Sequence, residues 1–293
     1  MRISDSQLQS TVLNGLYQRV NDLMSSQQEL SSGLRINKPS DDPAGSVRVS
    51  ALKTALSKLD QYSKNMDSVS SNMKMADSVL MDAHNLLNRA KQLAMQESSG
   101  TSTADTRAAT AQEVDAIFQQ LVQIGNTSQG GRYIFAGYQN STPPFDASGN
   151  YVSDSNTVQE EIGAQYFAQS NIPGGSIFNP AGGVDVFKSI QDLSTALKAN
   201  DTAGIGAAMD NISTSFSQVE ASQAQVGAIE NQITDSQSRL QDDQVNMKTL
   251  LSNSEDADLV TAISDFQTKS AALTAARQAA SKLFQDSLLD YLK

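Results

Sequence analysis

The sequence predicts a mainly α protein: a long antiparallel coiled-coil or helical bundle built from the N- and C-terminal parts of the chain, with a small β-rich insertion in the middle. Three observations carry this. From Leu52, alternating steps of three and four residues reach Ala55, Leu59, Tyr62, Met66, Val69, Met73, Ala76, Leu80, Ala83, Leu87, Ala90 and Ala94, and only the Tyr62 hydroxyl is polar. Such a period is the mark of a helix with one narrow apolar seam, here roughly 60 Å long. Related stripes recur near both ends of the chain. Between them, residues 132–185 exchange this period for Gly, Pro, Asn and β-formers.

A first helix is expected over residues 3–34, on Leu13, Leu16, Val20, Leu23, Leu30 and Leu34, with Gln27 as a polar intruder. It ends near Gly33 to Asn37, ahead of Pro39. Asp42 can cap the long helix and Pro43 can take its first position. Ser98 to Thr103 reads as a turn. A third helix then carries Ala104, Ala108, Ala111, Val114, Phe118 and Leu121, closes before Gly130-Gly131, and packs as an antiparallel neighbour of the long helix.

In the insertion, strands are expected at Tyr133–Tyr138, Tyr151–Val152, Thr157–Ile162 and Gln165–Ala168. Helical period returns from Asp185 with Val186, Ile190, Leu193 and Leu197. After Asn200-Asp201-Thr202 it continues through Ile205, Met209, Ile212, Phe216, Val219, Val226, Ile233, Leu240, Met247 and Leu251. Gln223, Glu230, Gln237 and Gln244 fill the missing steps, so this seam is half apolar. Ser252-Asn253-Ser254-Glu255 has the form of a capping box opening a last helix, on Leu259, Ile263, Phe266, Leu273, Ala280, Phe284 and Leu288. The expected division is 1–42 with 252–293 as a terminal coiled-coil domain, 43–131 with 185–251 as a helical rod, and 132–184 as the β-rich insertion.

Composition narrows the function. With 5% aromatic residues and no Trp among 293 residues, the core is expected to be helix seams more than a globular interior. The absence of Cys removes disulfides and thiol chemistry. A net charge of −11 argues against nucleic acid and against an anionic membrane as partners. The acidity lies late in the chain: residues 1–100 hold 11 Lys+Arg against 10 Asp+Glu, and residues 101–293 hold 10 against 22. Met1 to Gln9 has no apolar run behind its Arg, so no cleaved leader is expected, nor any membrane insertion.

Candidate chemical sites are sparse. His84, the only histidine, sits beside the seam with no second ligand for zinc, and reads as a helix-surface residue. Glu255, Asp256 and Asp258 could be an acid/base or metal cluster, but their expected place in a first helical turn makes them dipole and cap partners, as for Asp41 and Asp42. Gly130-Gly131-Arg132 precedes a strand and so lacks the helix of a phosphate cradle, and Asp146 to Asn150 lacks calcium-loop spacing. No enzyme activity, metal or cofactor is expected.

Leu30-Ser31-Ser32-Gly33-Leu34-Arg35-Ile36-Asn37, followed by Asp41-Asp42-Pro43-Ala44-Gly45, resembles the N-terminal signature of bacterial flagellins and their relatives. Glu255-Asp256-Ala257-Asp258 and the amphipathic helix after it resemble the matching C-terminal signature. Gly131 to Tyr138, with Thr142-Pro143-Pro144-Phe145 soon after, looks like the hook-associated protein 3 branch of that family. The end Leu288-Leu289-Asp290-Tyr291-Leu292-Lys293 lacks the Leu-Leu terminus of many flagellins.

The resemblance implies an axial structural protein of the bacterial flagellum, an adaptor joining hook to filament, with a filament-forming flagellin as the alternative. It implies secretion to the hook–filament junction by an uncleaved signal. The implied partners are copies of itself in a ring, the adjoining hook-associated protein on the hook side, flagellin on the filament side, and a cytoplasmic export chaperone at the C-terminal region. The terminal seams would then meet neighbouring copies, and Leu16, Val20, Leu23, Leu30, Ile263, Phe266, Leu273 and Phe284 are the expected assembly contacts, left unpaired until assembly.

Overall fold

The computed structural model describes the backbone of residues 5–291 and the side chains of residues 7 and 9–282. In chain order the elements are α1 (Asp5–Ser32), α2 (Pro43–Glu97), α3 (Ala104–Gly125), β1 (Ser128–Gln129), β2 (Arg132–Tyr133), β3 (Gln159–Gly163), β4 (Tyr166–Gln169), α4 (Gly174–Phe178), α5 (Val186–Lys198), α6 (Thr202–Glu255) and α7 (Leu259–Tyr291). The predicted class holds: long helices dominate, and the sheets are two small antiparallel pairs, β1 with β2 and β3 with β4. The chain divides into two compact units, residues 59–242 and residues 1–58 with 243–293.

In the unit of residues 59–242 the long seam is a core, and Met66, Val69, Met73, Ala76, Leu80, Ala83, Leu87, Ala90 and Ala94 are all buried. Across it lies the antiparallel α6, contributing Ile205, Ile212, Val219, Val226, Ile233 and Leu240. Two of the polar steps of α6 answer polar residues of α2: Gln223 Nε2 donates to Asp77 Oδ1 (3.0 Å) and Gln237 Nε2 to Asp67 Oδ1 (3.1 Å). These paired hydrogen bonds fix one register in an otherwise slippery seam.

Helix α3 is capped by Thr103, whose side chain and that of Thr106 form a capping box, and it ends at Gly125, before Gly130-Gly131 as expected. Ala104 and Ala108 at its start are exposed. It runs back along α2, with Arg89 Nη2 2.7 Å from Glu113 Oε1, and packs against α5, where Asp115 takes Lys198 Nζ at 2.7 Å and the Ser194 hydroxyl at 2.5 Å. Burial pushes the Asp115 carboxyl up, but the Lys198 and Ser194 hydrogen bonds and the lysine charge outweigh it and hold the pKa below the usual carboxylate range. Arg107, almost wholly buried, donates to the carbonyls of Glu97 and Ser99 and to the Asn200 side chain, tying the α2–α3 turn to the α5–α6 turn.

The insertion corrects several expectations. Of the first expected strand only Tyr133 is a strand, in β2 with Arg132; residues 134–138 turn, because Gly137 takes φ +63° and the Asp154 carboxylate accepts from the Tyr138 and Gln139 amides. Tyr151 makes an isolated bridge to Phe145, and the third and fourth strands begin two residues and one residue later than expected. Phe135, Phe145, Phe178 and Phe187 converge on one another at ring distances of 4.9–5.8 Å, all buried. The scarce aromatics thus build one compact interior here, where seams alone were expected. Gly125, Gly149 and Gly174 let backbone approach these rings, since a Cβ at each would stand 2.6–2.8 Å from ring or Cβ atoms of Phe145 or Phe187.

His84 is half-buried, not fully on the helix surface. Its ring lies 4.1 Å from that of Phe216, and its Nδ1 is buried without a partner, so it serves as a flat filler between α2 and α6.

Candidate functional site: the terminal helix pair and its joint

In the unit of residues 1–58 and 243–293, α1 packs along α7. Lys269 Nζ donates to Ser26 Oγ at 2.6 Å, and Ser26, Ala262, Leu273 and Ala280 are buried. Small residues at these steps let two helices approach closely. The expected seam on α7 was therefore drawn partly out of phase: Ala262, Phe266, Lys269, Leu273 and Ala280 face inward or sit half-buried, while Leu259 and Ile263 are exposed. On α1 the buried step is Ser26, not Gln27.

Leu16, Val20, Leu23 and Leu30 are half-buried, as is Phe266, and Leu273 is 5% exposed. The side chain of Phe284 lies outside the described residues. The stripes expected to stay unpaired are thus covered in part within one chain, by each other.

On α1 a second stripe stays uncovered. At 3.6 residues per turn Leu13, Tyr17 and Met24 fall within about 40° of arc on α1, centred about 100° from Leu16, Leu23 and Leu30. Tyr17 is 67% and Met24 62% exposed. Neither Tyr17 nor Met24 was on the expected seam, although both sit one step from it and could have been found by asking whether the apolar arc is wider than one partner helix covers.

The two terminal sequence motifs meet in space as a joint. Gly33 ends α1 with φ +70°, a left-handed cap that suits glycine. Its carbonyl accepts from Ala257 N (2.9 Å), and Arg35 N donates to Glu255 O (2.7 Å), so Leu34 and Asp256 pair as an antiparallel bridge. The Arg35 guanidinium adds Ser254 O at 2.9 Å and Asp42 Oδ2 at 3.3 Å. Lys53 Nζ reaches Glu255 Oε2 at 2.6 Å. Asp42 caps α2 through Gly45 N (2.8 Å), and Asp41 accepts from the amides of Asn37 and Lys38.

Two expectations are corrected here. Ser252 to Glu255 does not open the last helix but closes α6; the cap of α7 is Asp258, whose carboxylate takes Val260 N at 3.0 Å and the Thr261 hydroxyl at 2.9 Å. Glu255 therefore serves no first-turn dipole: it is an interior ion-pair partner. The Gly45 amide, against desolvation and with help from Arg35, holds Asp42 below the usual carboxylate range, and the Thr261 hydroxyl with the Val260 and Thr261 amides does the same for Asp258. No cluster of three or more potential metal ligands occurs among the described residues, and no helix there is long and apolar enough to cross a membrane.

The first and last helices thus pair, and sequence motifs more than two hundred residues apart close the joint between them. The model of the bacterial flagellin N-terminal helical region matches residues 3–140 and that of the bacterial flagellin C-terminal helical region matches residues 209–292, together about three quarters of the sequence; the chain belongs to the flagellin family. Within that family it is 28% identical over 181 residues to flagellar hook-associated protein 3 of Escherichia coli strain K12 and 29% identical over 181 residues to that of Salmonella typhimurium, matches covering 61% of this chain and 57% of each relative. The chain thus spans little more than half the length of those relatives. A Clostridium tyrobutyricum flagellin is 30% identical over 129 residues, 44% of this chain and 34% of that one. Among solved structures, Xanthomonas campestris FlgL shares the fold with a TM-score of 0.62 at 20% identity, over 69% of this chain and 99% of that one. Bacillus cereus FlgL does so with 0.61 at 21% identity, over 69% and 99%.

Proposed function

We propose that this chain is an axial structural protein of the bacterial flagellum, an adaptor that joins hook to filament through side-to-side packing of its terminal helices. The observation that carries the reading is the uncovered stripe of Leu13, Tyr17 and Met24 beside an already paired α1 and α7. An apolar arc wider than one partner helix calls for a second partner, and identical copies supply the same stripe to one another. The likeness to proteins named flagellar hook-associated protein 3 supports the position at the junction.

In this reading residues 1–42 with 252–293 form the assembly domain, 43–131 with 185–251 a rod, and 132–184 a β-rich insertion. Leu16, Val20, Leu23, Leu30, Ile263, Phe266, Leu273 and Phe284 build or border the packed pair that neighbouring copies grip. The partners are further copies in a ring, the adjoining hook-associated protein, flagellin, and an export chaperone that holds the C-terminal region in the cytoplasm. The role is mechanical, with no catalytic step.

Electron microscopy of cells lacking the chain tests this directly. Hooks without filaments, with flagellin lost to the medium, are expected. Normal filaments on those cells overturn the role, and long fibres grown from the purified chain alone reassign it to a filament flagellin.

A further inference from the structure

Helices α1 and α7 meet along a seam that repeats itself. Leu16, Leu23 and Leu30, all half-buried on α1, stand seven residues apart, and on α7 the same spacing carries Ala262, Lys269 and Ala276. Two helices with such repeats can slide by seven residues, about 10 Å, and set each leucine where the next one stood. Apolar packing therefore discriminates poorly between registers one heptad apart.

One polar contact breaks the degeneracy. Lys269 Nζ donates to Ser26 Oγ at 2.6 Å, and no other side-chain hydrogen bond or ion pair joins α1 to α7 among the described residues. Ser26 is 2% exposed and Lys269 half-buried, so an ammonium sits in the seam with a single protein acceptor. One heptad to either side of Ser26 stand Arg19 and Gly33. A slip one way sets the lysine against the Arg19 guanidinium, a like charge. A slip the other way sets it against Gly33, which has no side chain to accept. The joint favours the same register through Ala257 N and Arg35 N, but it does so about 10 Å further along, past the end of α1. A lone polar residue in an apolar helix seam selects register at the expense of stability.

We propose that Lys269, with Ser26 to receive it and Arg19 to repel it one heptad on, selects the register of the terminal helix pair. That register sets the height of Tyr17 and Met24 relative to α7, so every copy presents the same outer surface. The inference goes beyond the axial role and holds whichever neighbour covers those side chains.

The chain has no Cys, so Gln18→Cys/Ser264→Cys, at two exposed positions, carries spin labels at those two places alone. A slip of seven residues moves one label about 10 Å along the axis against the other, and pulsed electron spin resonance on the full chain reads the distance between them. The labelled parent is expected to give one narrow distance. Adding Lys269→Met and Arg19→Ser should create a second distance in at least about a tenth of the molecules. The melting temperature should stay unchanged or rise, because an apolar chain of similar length replaces a half-buried charge. Lys269→Arg, which keeps donor and charge, should keep the single distance. The parental distance alone in the Lys269→Met/Arg19→Ser chain, with or without a lower melting temperature, overturns the inference and leaves register to the joint. A second distance of equal size in Lys269→Arg overturns it too, since neither donor nor charge would then decide.

Discussion

Lys53 Nζ stands 2.6 Å from Glu255 Oε2, joining residues two hundred positions apart, with the carboxylate side chain 11% exposed and the lysine 54%. The asymmetry decides what each substitution does. Lys53→Met strands a mostly buried carboxylate, whereas Glu255→Gln frees a lysine that water can still solvate. We expect Lys53→Met to lower stability by about 1–2 kcal/mol, discounted for the exposed lysine. Adding Glu255→Gln to it should restore part of the loss. Urea unfolding of the two single variants and the double variant measures this; three equal midpoints would show the pair to be idle.

The cap carboxylates give the joint an acid limit. Asp42 and Asp258 are held below the usual range in the folded chain, chiefly by the Gly45 amide and the Thr261 hydroxyl, while in the unfolded chain they titrate near pH 4. A depressed folded value means stabilisation that is complete above about pH 4 and lost as pH falls through the folded values. Hydrogen exchange of the Arg35 and Ala257 amides, which make the bonds across the joint, should therefore accelerate below about pH 4 relative to amides buried in α2. In Asp42→Asn/Asp258→Asn that extra acceleration should vanish, and its persistence there would place the acid response elsewhere.

Gly45 should resist replacement even though alanine is the better helix former. A Cβ there would stand 2.6 Å from Ile36 Cδ1 and overlap the Asp42 carboxylate that caps the helix. Ile36 is buried, so the isoleucine has little room to retreat. Gly45→Ala is expected to lower the melting temperature instead of raising it, and a rise would mean that the corner relaxes freely.

Much of this was legible because helices longer than three or four turns repeat their signal. The α2 seam runs buried from Met66 to Ala94 as its period requires, and Asp42-Pro43 marked the true start of that helix. Three misreadings have one cause, a local pattern overruled by a distant partner. Ser252 to Glu255 matched a capping box, but Glu255 O and Ala257 N are committed to Arg35 and Gly33 from the other end of the chain. Residues 133–138 carry β-formers, yet Phe135 is there for the aromatic cluster and Gly137 for the turn that Asp154 holds. On α7, Ile263 is the greasier residue and Ala262 the buried one, because a close helix partner selects for small size. Polar Ser26 escaped notice for the same reason.

The division of the terminal pair into an inner and an outer stripe predicts two classes of variant. Leu273, on α7 where that helix packs along α1, is 5% exposed, so Leu273→Ala should cost about 2–4 kcal/mol of stability in the isolated chain. Tyr17→Glu and Met24→Glu change side chains that are 67% and 62% exposed, and each should leave urea unfolding within about 0.5 kcal/mol of the parent. In cells the order reverses for the outer stripe: a charge at position 17 or 24 puts an unpaired carboxylate into any apolar contact between copies. Cells carrying either substitution should show hooks without filaments although the chain folds. A loss of motility that follows only measured stability, with Tyr17→Glu as motile as the parent, would mean that no neighbouring copy covers this face.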